Sequence, residues 1–180
     1  SNGAPADEIN ERGESALHRL FRCGIAADDP GFPHAARLLL DAGVPRDQID
    51  QNGRTALHAA LETVAGQASA VNLYVDGARL LLARGALPTL ADINGVTPLH
   101  LAAAEPKAVV TQLLLDLGAD PTAEDQEGYI PLWYAAAADD NLDTFALLLA
   151  RTQASPELMS ALAQQAAHQG HTGKLNLLLQ

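Results

Sequence analysis

NGVTPLHLAA, at residues Asn94 to Ala103, is the stretch that decides the fold. It contains a turn glycine, a Thr-Pro pair that can begin a helix, and an apolar Leu-x-Ala-Ala face. A second apolar run, QLLLDLGADP, follows at residues Gln112 to Pro121. The same two-part pattern occurs three more times, as ERGESALHRL with RLLLDAGVP (11–20, 37–45), QNGRTALHAA with RLLLARGALP (51–60, 79–88), and QEGYIPLWYAA with ALLLAR (126–136, 146–151). The turn glycines at 13, 53, 95 and 128 are 40, 42 and 33 residues apart, so the chain is built from repeats.

With its TPLHLA segment and the matching segments of the other repeats, the chain resembles the ankyrin-repeat family, whose units of about 33 residues carry a T-P-L-H-x-A signature. The resemblance implies an all-α solenoid of stacked helix-turn-helix units joined by β-turn hairpin loops. Residues 1–9 are small and polar and are expected to form a disordered lead-in or tag remnant, and the resemblance assigns residues 10–180 to a single domain. The repeats span about 10–49, 50–91, 92–124 and 125–153, with a C-terminal capping repeat at 155–180 and long inter-helix insertions in repeats one and two. The composition suggests a small, stand-alone bacterial member of the family.

The insertion from Gly66 to Gly77 allows two interpretations. Val71, Leu73 and Val75 alternate with polar residues, as in a strand. The helical continuation ARLLLARG favours an N-terminal extension of the second helix instead. Stacking of the repeats is expected to bury Leu99, Ala102, Leu113 and Leu114 and their equivalents.

Bulk composition excludes several classes of partner. The 180 residues carry a net charge of −11, which argues against nucleic acid or an anionic membrane surface as ligand and allows a basic protein partner. No apolar run approaches the length of a membrane span, and the single cysteine, Cys23, excludes an intrachain disulfide. We expect a cytoplasmic monomer. Periplasmic or secreted locations stay open, because Ser1-Asn2-Gly3 resembles the remnant of a cleaved tag and a leader could have been removed.

Three histidines invite a catalytic or metal-binding interpretation, but a structural one is stronger. His18, His58 and His100 occupy the same motif position in successive repeats. The resemblance implies that this histidine bridges backbone groups of adjacent hairpins. The acidic pairs Asp28-Asp29 and Asp139-Asp140 lack the spacing of a calcium loop, and no nucleotide-binding, zinc or nucleophile motif is present. The sequence therefore predicts no enzyme, no metal and no cofactor.

Partner contacts in the resembled family come from hairpin tips and the exposed side of the first helices. Carried over to this chain, the predicted contacts are Arg12, Glu14, Arg22, Asn52, Arg54, Glu62, Asn94, Val96, Glu105, Glu127, Tyr129 and Tyr134. Tyr129, Tyr134 and Trp133 are clustered in a chain that has only 4% aromatic residues, and aromatic residues are common interface anchors. We expect Tyr129 to be exposed, and leave burial of Trp133 open.

These features predict a non-enzymatic module that binds a partner protein through its concave hairpin and first-helix surface. One alternative is an immunity or inhibitor protein that covers the active site of a toxin or hydrolase with an acidic face. Another is a secreted effector or adaptor that engages a host protein.

Overall fold

The computed structural model of the chain describes residues 8–22, 31–62, 70–106, 108–139 and 141–179. Within these ranges the backbone forms ten α-helices and no strand, which confirms the predicted all-α class. The helices are α1 (Ala16–Arg22), α2 (Phe32–Asp41), α3 (Ala56–Leu61), α4 (Ala70–Ala83), α5 (Pro98–Ala103), α6 (Ala108–Asp116), α7 (Pro131–Ala137), α8 (Leu142–Arg151), α9 (Pro156–Gln169) and α10 (Thr172–Leu178).

The helices follow one another as packed pairs. α1 packs on α2, α3 on α4, α5 on α6, α7 on α8 and α9 on α10. In the last pair, α9 begins after the N-cap Ser155, whose hydroxyl accepts from the Leu158 N–H at 3.2 Å. The C-cap after α9 is Gly170, which has the left-handed backbone that glycine tolerates best.

The predicted extension of the second helix of repeat two is confirmed, because α4 is continuous from Ala70 through Ala83. The remainder of that insertion, residues 63–69, and the repeat-one insertion at residues 23–30 lie outside the described residues, as does Cys23. Most of the predicted lead-in, residues 1–7, lies outside them too.

Leucines fill the core at two repeat positions. The motif leucines of the first helices, Leu17, Leu57, Leu99 and Leu132, are all fully buried. In the second helices the middle leucine of the triplet is fully buried at Leu81, Leu114 and Leu148, and Leu82 is buried beside Leu81. The prediction that Leu113 is equally buried is wrong, since this side chain is partly exposed. Consecutive helical residues are turned by about 100° from one another, so a triplet cannot point all three side chains at the same neighbour.

The chain divides into two compact units, Ser1–Ile93 and Asn94–Gln180. In the N-terminal unit α1 packs on α3 and α2 on α4. In the C-terminal unit α5 packs on α7 and α7 on α9, while α6 packs on α8 and α8 on α10. Within each unit, therefore, first helices pack on first helices and second helices on second helices, as stacked repeats require. The predicted boundaries of the individual repeats, and of one domain over residues 10–180, stay predictions.

Candidate functional site

In repeats one, two and four, the hairpin before the first helix is held by a side chain at its opening position. In repeat four, Asp125 Oδ1 accepts hydrogen bonds from the backbone N–H groups of Glu127 and Tyr129, each at 2.9 Å. Asn10 and Asp50 do the same in repeats one and two. An acidic or amide side chain that bonds the backbone two and four residues ahead closes a tight turn. The sequence interpretation gave this position no role, although it recurs in every repeat.

Backbone hydrogen bonds also join successive hairpins within each unit. In the N-terminal unit the Gln51 N–H donates to the Arg12 carbonyl at 2.9 Å. In the C-terminal unit the Gln126 N–H donates to the Asn94 carbonyl at 2.8 Å. The tips therefore have a defined backbone on which their side chains are displayed.

Two of the motif histidines, His18 and His100, link their first helix to the next hairpin. His100 Nδ1 accepts from the Thr97 N–H at 3.1 Å, and its Nε2 lies 3.0 Å from the Tyr129 carbonyl oxygen. Because an N–H must donate to Nδ1, the network assigns the hydrogen to Nε2, which donates to the carbonyl. His18 makes the equivalent bonds to its own N-cap and to the Arg54 carbonyl, at 3.2 and 2.8 Å. The predicted bridging role is thus confirmed for both residues.

His58 closes its own helix start in the same manner. The Thr55 N–H donates to His58 Nδ1 at 3.1 Å, and the ring is fully buried. The histidine here takes the place of the Glu or Gln of a capping box. In the part of the chain that the structure describes, no three His, Cys, Asp or Glu side chains gather as possible metal ligands.

None of the described helices has both the length and the apolar character needed to cross a membrane.

Most of the predicted contact residues are accessible. The exposed ones are Arg12, Arg22, Asn52, Glu62, Asn94, Glu127 and Tyr129, and the partly exposed ones are Arg54, Val96, Glu105 and Tyr134. Glu14 alone among the twelve is buried, with 6% of its surface exposed.

The prediction that Glu14 offers a contact to a partner does not fit its surroundings. Its carboxylate accepts a hydrogen bond from the Asn10 side-chain amide at 2.7 Å and another from Arg22, with which it forms an ion pair. The Asn10 bond, against the opposing effect of burial and with the help of Arg22, holds the pKa of Glu14 below its usual value. Glu14 therefore fastens the hairpin to the end of α1.

In repeat two an ion pair joins the same two positions, with the arginine and the glutamate exchanged. Arg54 follows the turn glycine, as Glu14 does, and it pairs with Glu62 eight residues later. The Arg54 guanidinium also donates to Asp92 Oδ2 at 3.1 Å. These ion pairs occupy the surface where hairpin and first helix meet. Sequence reasoning missed them, but the spacing of eight residues between opposite charges was a usable signal.

Repeat four has aromatic residues on that surface instead. Tyr129 is 41% exposed, which confirms its predicted exposure, and Trp133 is partly exposed. The centroids of the two rings are 5.6 Å apart with 61° between the ring planes, an edge-to-face contact. Trp133 occupies the motif position that is histidine in the first three repeats.

Tyr134, the residue after Trp133, is held in place by two contacts. Its hydroxyl donates to Asp125 Oδ2 at 2.8 Å, and its ring contacts His100 with centroids 5.1 Å apart. Burial opposes ionisation of Asp125, but hydrogen bonds from the Tyr129 N–H, the Tyr134 hydroxyl and the Glu127 N–H outweigh it and keep the pKa of Asp125 below its usual value.

The aromatic residues border an open groove of about 500 Å³ in the C-terminal unit. Its lining includes Tyr129, Trp133 and Tyr134, the carboxylate-bearing Glu127, and the small residues Ala104 and Ala137. We call this site the aromatic groove. It combines apolar ring surface with one exposed acidic side chain.

Lys174, which the sequence interpretation passed over, is a buried cation in α10. Its ammonium group donates to the Ala135 carbonyl at 2.8 Å and to the Ala138 carbonyl, and it lies 5.9 Å from the centre of the Phe145 ring. It thereby satisfies carbonyls at the C-terminal end of α7. The signal for it was a lysine inside the apolar pattern of the last helix.

A protein-family model described as ankyrin repeats (3 copies) matches the chain at residues 24–125, 66–160 and 99–180. A comparison with curated proteins found no match. With its repeated hairpins, capping histidines and paired helices, and with matches that together span most of its length, the chain belongs to the ankyrin-repeat family.

Proposed function

We propose that this protein is a non-enzymatic protein-interaction module that binds a partner protein through its hairpin tips and first helices. Ankyrin repeats generally bind proteins and are typically non-catalytic, which supports this class of function. The proposed surface consists of Arg12, Arg22, Asn52, Arg54 and Glu62 in the N-terminal unit and Asn94, Val96, Glu105, Glu127, Tyr129 and Tyr134 in the C-terminal unit. Glu14 is left out because it is buried.

The observation that carries this proposal is the hydrogen-bonded backbone beneath exposed tip side chains. At the tip of repeat four, for example, Glu127 and Tyr129 are exposed, while their N–H groups are bound to Asp125. Side chains on a backbone that is already ordered lose less conformational freedom when a partner binds. This preorganisation suits a recognition surface.

The charge distribution favours a basic partner. Residues 94–180 contain ten acidic residues against three basic ones, Lys107, Arg151 and Lys174, which gives a net charge of −7. Lys174 is buried, so it adds little positive charge to the surface. Residues 1–93 contain twelve acidic and eight basic residues, a net charge of −4. A net negative charge on the protein speeds its encounter with basic proteins and slows its encounter with acidic ones.

Affinity capture from the native organism tests the proposal, provided that it compares matched variants. The tip variant combines Asn52→Ala and Tyr129→Ala, and the control variant combines Asn176→Ala and Leu117→Ala, which are exposed residues away from the tips. We expect a partner that the wild type and the control retain and the tip variant loses. A partner that all three proteins capture equally would contradict the proposed surface.

Salt dependence tests the charge argument separately. Raising the salt concentration from about 50 to about 300 mM shortens the range of charge–charge attraction, so the affinity for the captured partner should fall steeply. An affinity that is unchanged over this range would contradict attraction between this acidic protein and a basic partner.

Inhibition of a basic enzyme is a second candidate function, and the excess of carboxylates in the C-terminal unit favours it. If the captured partner is an enzyme, the wild-type protein should reduce its activity at a one-to-one ratio, while the tip variant should not. If the enzyme keeps its full activity in the saturated complex, inhibition is rejected, but protein binding itself is not.

A further inference from the structure

Two repeats share an ion pair at one structural position. The residue after the turn glycine and the residue eight positions later form the pairs Glu14–Arg22 in repeat one and Arg54–Glu62 in repeat two. In both cases an arginine side chain lies between the hairpin and the end of the first helix and contacts a carboxylate. This surface of the fold thus accommodates a guanidinium group twice.

Repeat four cannot form such a pair, because the same two positions are Tyr129 and Ala137. The methyl group of Ala137 is exposed and leaves space beside the tyrosine ring, and this space is part of the aromatic groove. The groove also has a carboxylate, since Glu127 is an exposed residue of its lining. Repeat four therefore has open space at the two positions where repeat two has its ion pair, and an exposed carboxylate lines the same groove.

The rings beside that space suit a cation. Tyr129 and Trp133 both line the groove, and their ring planes meet at 61°. The face of an aromatic ring attracts cations, tryptophan most strongly. Arginine is favoured over lysine at such a site, because the planar guanidinium stacks on rings, binds carboxylates and is more weakly hydrated than an ammonium group.

We propose that the aromatic groove binds an arginine side chain supplied by the partner protein, with the guanidinium against Tyr129 and Trp133 and near the Glu127 carboxylate. This inference rests on the proposed protein-binding function and assigns one contact within it. The net charge of −7 of residues 94–180 complements a basic segment of the partner.

Trp133 makes a direct test possible, because it is the only tryptophan in the chain. Its indole N–H gives a single NMR signal that reports on the groove. The probes are capped five-residue peptides, Gly-Xaa-Gly-Xaa-Gly, in which both Xaa positions are arginine, lysine, glutamine or leucine. We expect the arginine peptide to shift the indole signal in a saturable manner, and to bind at least about threefold more tightly than each other peptide.

Matched variants locate the bound peptide. Glu127→Gln should weaken binding of the arginine peptide by about two- to fivefold, whereas Glu124→Gln, the same change at an exposed carboxylate outside the groove lining, should change it less than about 1.5-fold. Ala137→Arg should abolish binding by placing a guanidinium in the groove. Ala150→Arg adds the same charge on the exposed side of α8 and should leave binding nearly unchanged.

Several results would overturn the inference. They are no shift of the indole signal, equal or tighter binding of the leucine or lysine peptide, and equal effects of the groove variants and their controls. Circular dichroism spectra of the variants establish that each is folded. If the partner is captured through the tips but the arginine peptide does not bind, only this inference fails; if tip variants also capture the partner normally, the proposed function fails as well.

Discussion

Replacement of His100 by leucine tests how much the histidine bridges contribute to stability. The ring is fully buried and contacts the Thr97 N–H at 3.1 Å, the Thr97 hydroxyl at 2.8 Å and the Tyr129 carbonyl at 3.0 Å. Leucine fills a similar volume but offers neither an acceptor nor a donor. The change therefore removes these hydrogen bonds with little new cavity.

The N-cap end and the carbonyl end of the bridge differ in the free energy that is lost when their hydrogen bonds are removed. The Thr97 N–H belongs to a buried residue and loses the acceptor that His100 supplies, which costs about 1–3 kcal/mol. The Tyr129 carbonyl keeps a second bond, from the Asp125 N–H at 3.0 Å, so only the net value of one bond, about 1 kcal/mol, is lost there. We expect His100→Leu to lower the free energy of unfolding by about 2–4 kcal/mol.

Urea unfolding followed by Trp133 fluorescence and by circular dichroism measures this change. His168→Leu is the matched control, because this histidine is exposed in α9 and its replacement should change stability by less than about 0.5 kcal/mol. His100→Gln should recover part of the loss, since a glutamine oxygen can accept from the N-cap N–H in an ordinary capping box. A loss below about 1 kcal/mol for His100→Leu, or no recovery by glutamine, would refute the hydrogen-bond reasoning.

Three further predictions concern the C-terminal unit. Leu114→Ala should lower the free energy of unfolding in urea by about 2–5 kcal/mol, because Leu114 is fully buried. The same change at Leu117, which is 48% exposed, should lower it by less than about 0.5 kcal/mol. Similar losses at both positions would contradict the assigned core. Gly95→Ala should destabilise the protein more than Gly118→Ala. Both glycines have positive φ, but only at Gly95 would the new Cβ contact other backbone atoms, 2.9 Å from the Asp125 Cα. Equal unfolding midpoints of the two variants would exclude this contact. The pKa of Asp125 is lowered in the folded state, so the stability that its carboxylate contributes is fully present above the usual pKa of 3.8 and is lost as the pH falls through the lower folded value. Asp125→Asn should therefore reduce the loss of stability between neutral pH and pH values below 3.8. An unchanged pH profile of the free energy of unfolding would reject the role of this carboxylate.

The repeat architecture was predictable because its signals are local. A turn glycine, a Ser or Thr N-cap and a histidine three residues later lie within six residues, and the structure finds them in the predicted roles at His18 and His100. The helical continuation of repeat two was predictable for the same reason, since α4 depends on the residues of its own segment. Local hydrogen bonds and helix caps need no knowledge of distant neighbours.

The surface was less predictable, because exposure depends on residues far away in the chain. Arg54 contacts Asp92, 38 residues later, and Lys174 binds carbonyls 36 to 39 residues earlier. Leu113 and Leu114 are adjacent and chemically identical, yet only Leu114 is fully buried. Which of two such residues faces a neighbouring helix depends on the rotation of the helix in its packed position.

By itself, the amino-acid sequence determined the repeat and its helices, because these arise from bonds between residues close in the chain, while the bridging role of the histidines came from the family resemblance. Only the tertiary structure decided that Glu14 is buried in an ion pair, and that Tyr129, Trp133 and Glu127 border a common groove. Both results follow from side-chain directions and from the packing of hairpins on helices. The chemistry that a partner would meet therefore depends on burial, which is a property of the packed molecule.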